Sequence, residues 1–149
     1  MTATPTTDSA TPDSGSLGTP EPVPGLFWGI PGGPSGPTVA GTRCWGRQCI
    51  DMIGPLTPAE PATVPAATEL QLQFEGGEPD SAQHAWIRAV GLEPEATEEG
   101  LAWPNAQPGD GLTRGPVTTP AEPGEYILVV FAQWDGRGDV SFGGYFNVE

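Results

Sequence analysis

Lysine is absent from this 149-residue chain, histidine occurs only as His84, and cysteine only as Cys44 and Cys49. Against 19 acidic residues stand five arginines, Arg43, Arg47, Arg88, Arg114 and Arg137, and the formal net charge is −14. Binding to a polyphosphate draws its affinity from Lys and Arg neutralising phosphates, and anionic lipid surfaces attract clustered basic residues. Five scattered arginines provide neither, so nucleic acid and an anionic membrane surface are excluded as direct partners. No apolar run approaches the roughly 18 residues of a membrane-spanning helix, so no transmembrane segment is expected. The first residues also lack the basic-then-apolar pattern of a signal peptide. Met1-Thr2-Ala3-Thr4-Pro5 reads as the mature segment of an exported protein behind a reset initiator Met, and a lipid anchor would require a longer precursor.

Scarcity also narrows the chemistry. Zinc needs four Cys/His-type ligands, which two thiols and one imidazole do not supply, and the Cys-x-x-Cys redox spacing is missing. A catalytic triad would need His84 near an activated Ser or Cys, yet no nucleophile-elbow motif is present, and His84 reads as a solvent-facing strand residue. A carboxylate-dependent hydrolase would require two acids converging in a pocket with one pKa raised. With so many acids some pair always qualifies by chance. Asp135, Asp139 and the loop around Asp110 could face a Ca²⁺ ion, but their spacing matches no EF-hand loop. The expectation is therefore no catalytic residues, no cofactor and no metal.

What is present is glycine and proline, 22 and 19 residues, a proportion that disfavours long helices and favours turns and short strands. Residues 1–25, Thr-, Pro- and Ser-rich with few aliphatics, read as a disordered tether holding a domain of residues 26–149 off a surface. Leu26 to Ile30 is the first apolar patch, a short piece docking onto the domain ahead of a breaker-rich stretch. Thr38 to Trp45 and Cys49 to Ile53 flank Gly46-Arg47-Gln48, a hairpin with a cysteine on each side of its turn, so a Cys44–Cys49 disulfide is expected. Such a short loop gives a bridge worth about 2 kcal/mol. Leu70, Leu72 and Phe74 alternate with Gln71 and Gln73, a strand with one buried and one wet face. Gln83 to Val90 reads as a strand whose buried face is undetermined, and Glu93 to Gly100 allows one helical turn in a loop-rich region. Tyr126 to Trp134 is a near-continuous β-prone run, as in a central strand covered on both sides. A glycine-rich turn follows, then the alternation of Val140, Phe142, Phe146 and Val148.

Pro123-Gly124-Glu125-Tyr126 has the turn-then-tyrosine start of a tied-down corner in immunoglobulin-like sandwiches, and six or seven strands in roughly 110 residues is the size of that fold. The expected class is all-β, an immunoglobulin-like antiparallel β-sandwich with a disordered N-terminal tail. Residues 41–51, containing Cys44-Trp45-Gly46-Arg47-Gln48-Cys49-Ile50-Asp51, pair with residues 123–143, containing Tyr126 through Trp134 and Gly138-Asp139-Val140-Ser141-Phe142. Together they resemble a group of small, uncharacterised bacterial envelope lipoproteins and secreted proteins. The resemblance implies an exported domain, often lipid-anchored through a cysteine upstream of a polar spacer, and no activity.

Arg137-Gly138-Asp139 spells an adhesion tripeptide at a hairpin tip, although glycine in a tight turn explains it without a ligand. Of five tryptophans, Trp45 and Trp134 read as core, whereas Trp86 and Trp103, flanked by polar or loop residues, are the candidates for an exposed binding face. The expected function is a non-catalytic extracytoplasmic module for cell-envelope interaction or structure. The alternative is a domain that binds an extracellular glycan or protein, protease-inhibitor-like binding included, through exposed aromatics. Its partner would be a cell-surface protein or glycan.

Overall fold

The computed structural model describes residues 22–108 and 111–149. Most of the expected tether, residues 1–21, lies outside them. The described residues form thirteen strands and no helix. In chain order these are β1 (Leu26–Gly29), β2 (Ser35–Pro37), β3 (Val39–Trp45), β4 (Gln48–Ile50), β5 (Leu56–Thr57), β6 (Ala62–Val64), β7 (Glu69–Phe74), β8 (Ser81–Arg88), β9 (Glu95–Ala96), β10 (Leu101–Ala102), β11 (Val117–Thr118), β12 (Gly124–Trp134) and β13 (Gly138–Val148).

A four-stranded sheet, in the order β11-β7-β1-β2, packs on a six-stranded sheet, in the order β8-β12-β13-β3-β4. In the latter, β6 adds a short parallel pairing to the far end of β13. The strands β7, β8, β11, β12 and β13 take the places of immunoglobulin strands B, C, E, F and G, which makes the chain an immunoglobulin-like sandwich. At the start of β12 the Tyr126 hydroxyl donates to the Glu122 carbonyl at 2.9 Å, the tied corner that the Pro-Gly-Glu-Tyr segment predicts. Leu128, two residues on, stands where antibody domains carry their second inter-sheet cysteine, so apolar packing rather than a bridge closes the centre.

Alternation along β12 explains why nearly every residue of it is apolar. Tyr126, Leu128, Val130, Ala132 and Trp134 enter the core between the two sheets, joined by Leu26, Trp28 and Leu70 from the opposite sheet. Ile127 and Val129 enter a second core on the other face, with Phe131 packed against it. That second core is roofed by the three-stranded sheet β9-β10-β5 together with Trp103 and Ala106. The helical turn expected over Glu93 to Gly100 is instead the β9–β10 hairpin. Gly100 lies so close to the Thr57 carbonyl that any Cβ there would collide with it, and this contact brings Leu101-Ala102 alongside Leu56-Thr57. Leu26 to Gly29 is likewise no docked extra but a full strand, antiparallel to β7 with Leu26 and Trp28 in the core.

Candidate functional site

The sheet settles where each sequence-predicted residue lies. Cys44 and Cys49 face each other across β3 and β4 at a Cα separation of 4.0 Å and are bridged, with Cys49 exposed on the edge strand. Trp86 and Trp103 do not form a binding face. Trp103 is 3 % exposed within the second core, and its indole N–H donates to Thr57 Oγ1 at 3.0 Å. Trp86 is half-buried on the opposite side of the sheet, its ring 5.4 Å from Phe146 and 6.2 Å from Tyr126. Loops that look polar in sequence leave both indoles covered, because the residues that cover them come from distant segments.

His84 also departs from expectation. It is 7 % exposed, on the inward face of β8, and its backbone exchanges two hydrogen bonds with Thr113, whose loop crosses the strand edge there. Burial lowers its pKa from the ordinary histidine value, with the Thr113 backbone bond acting weakly against the shift. The adhesion tripeptide lies at the tip of the β12–β13 hairpin, with Arg137 and Asp139 exposed. The Arg137 guanidinium stacks 4.8 Å from the Trp45 ring centroid, Gly138 packs against the Cys44 carbonyl, and Asp139 sits within β13 opposite Gln133 and Cys44. Of the acids considered for Ca²⁺, Asp110 lies outside the described residues, and no three metal-ligating side chains cluster among the described ones.

Part of the outer face of the six-stranded sheet is concave. Strand register sorts this face into rows. Ile87, Ile127 and Tyr145 form one row, and Ala85, Val129 and Gly143 the next, both at the roofed end. There the Tyr145 ring packs 5.3 Å from Trp103, and its hydroxyl donates to Glu125 Oε1 at 2.7 Å. Burial, followed by that carboxylate, pushes the Tyr145 pKa up to about 12.

The following rows are open: Gln83, Phe131 and Ser141, then Ser81, Gln133, Asp139 and Cys44. Two cavities of about 430 and 280 Å³ meet over Thr42, Phe131 and Ser141. At this point the β3–β13 register slips, with Gly41 and Thr42 both opposite Ser141 between the Val140–Arg43 and Phe142–Ala40 pairs. Such bulges bend a strand and re-aim its side chains. Thr42 Oγ1 accepts from the Met52 N–H at 2.9 Å and donates to the Met52 carbonyl, which pins Asp51-Met52-Ile53 as a rim. Ile53, at the crest of that rim, is 75 % exposed.

A second concavity, about 650 Å³, lies on the four-stranded sheet between Phe27, Gln71, Gln73 and the β2 edge, with no charged residue in its lining. Searches of family models, curated proteins and solved structures find nothing that matches the chain. Of the residues lining the two cavities that meet over Ser141, the sequence singles out Asp139, and for other chemistry, but neither Phe131 nor Ser141. Phe131 is one apolar residue in a run of them, and Ser141 becomes notable only once the bulge is seen.

Proposed function

We propose that the chain is a non-catalytic extracytoplasmic module for interaction or structure at the cell envelope, as its resemblance to envelope and secreted proteins implies. The observation that carries this reading is the Cys44–Cys49 bridge on an exposed sheet edge. An accessible bridge of this kind persists in an oxidising compartment and opens where glutathione and thioredoxin keep thiols reduced. In support of the non-catalytic part, His84, the one imidazole, lies on the inward face of β8 and lines neither open concavity, away from where a histidine-based triad would work, and Asp51 and Asp139 line separate cavities.

Mass spectrometry of the protein from its producing cells, read together with its full precursor gene, tests the assignment. We expect a processed or lipidated N-terminus and a bridge two hydrogens lighter than the dithiol. An unprocessed Met1 with two free thiols would place the protein in the cytoplasm and refute the reading. The uncharged concavity beside Phe27 favours a second reading, glycan binding. Phe27 is 39 % exposed, and its ring with the Gln71 and Gln73 amides offers the stacking surface and hydrogen-bonding groups a neutral sugar needs.

A further inference from the structure

We propose that the open half of the outer face of the six-stranded sheet is a docking groove for a segment of a partner polypeptide carrying an apolar anchor residue flanked by Lys or Arg. The proposal deepens the interaction-module reading and rests on it.

Four observations converge on this groove. Phe131 is half-buried in its floor at the junction of the two cavities, where the roofing sheet stops. The bulge in β3 falls at the same junction, so Thr42 and Ser141 line both cavities, and Ser141 is 9 % exposed. A buried hydroxyl at a cavity wall is placed to bond an incoming amide or carbonyl. Ile53 projects from the pinned rim with three-quarters of its surface in water, an apolar group that gains from being covered.

Charge decides the occupant. Asp51 lines one cavity and Asp139 the other, and no arginine lines either. The whole chain has no lysine and a net charge of −14, so a second copy of the same chain is repelled from this face. A basic partner is steered toward it, and its apolar anchor gains from contact with Phe131 and Ile53. Successive rows lie two residues apart along the strands, the repeat that alternate side chains keep on an extended segment lying along them.

The test is a selection from a random dodecapeptide display library against the bridged full-length protein, followed by calorimetric titration of the recovered peptides. The expected peptides are net positive with an aliphatic or aromatic anchor, bind more weakly as salt rises, and shift the amide resonances of Thr42, Phe131 and Ser141. Ile53→Ser and Asp139→Asn change exposed side chains and leave the fold intact, and each should weaken binding about fivefold or more. The proposal is overturned if no peptide is enriched, if those enriched are acidic or neutral, or if the two variants bind them undiminished. A protein exported with its disulfide closed that selects no peptide leaves the module reading standing without this groove, whereas free thiols in the producing cell refute the module reading whatever the library returns.

Discussion

Thr57 shows how much one hydroxyl does in this fold. It is fully buried, accepts from the Trp103 indole and donates onward to the Pro58 carbonyl, so it satisfies the polar edge of the largest side chain in the second core. Thr57→Val keeps the shape and removes the acceptor, leaving a buried N–H unpaired at a cost of about 1–3 kcal/mol. Urea denaturation should show a lower midpoint at unchanged slope. An unmoved midpoint would mean that the indole finds another partner. Trp45 and Trp86 already bury their indole N–H groups without a hydrogen-bond partner, so the fold tolerates that cost twice where ring packing compensates. At this scale the sequence is a partial guide. Tyr126 and the Cys44–Cys49 pair are legible because local turn chemistry sets both. Trp103 and His84 are not, because what buries them arrives from Thr57 and Thr113, far along the chain.

Among elements, the long strands announce themselves and the short ones do not. The period-two pattern of Leu70, Leu72 and Phe74 and the two-faced apolar run of β12 are both readable, since each strand is long enough to show its period. The strands β5, β9 and β10, two residues each, have no period at all, yet they form the roof that separates the covered half of the outer face from the groove. Gly143 is the seat of that roof. A Cβ there would strike the Leu56 carbonyl, so β5 can lie flat on β13 only over a glycine. Gly143→Ala should destabilise the protein by about 1–3 kcal/mol, as overpacking does. Hydrogen exchange should speed up first at Leu56, Thr57 and Leu101, ahead of the amides of β12. Uniform loss of protection would show instead that roof and sandwich open together.

For the whole molecule, net charge and a buried imidazole respond to acid in opposite senses. Protonating carboxylates relieves the self-repulsion of a chain at −14 and favours the compact state. His84 opposes this, because its folded-state pKa lies below the unfolded value of about 6.5. Its contribution is complete above that value and declines as pH falls, since the unfolded chain then binds a proton the folded one resists. The stability difference between wild type and His84→Gln should therefore narrow from pH 7 to pH 5, and parallel profiles would remove His84 from the account. A further consequence follows from how β13 is flanked. Its outer edge is shared by β3, antiparallel along Gly138 to Gly143, and β6, parallel along Phe146 to Val148, both drawn from the first half of the chain. Partners about a hundred residues apart cannot meet until the ribosome has made the later one, and such distant pairings form slowly. Although β3 can close its hairpin with β4 early, β6 and the β13-facing edge of β3 must wait, open to handling by chaperones, until β13 exists to receive them.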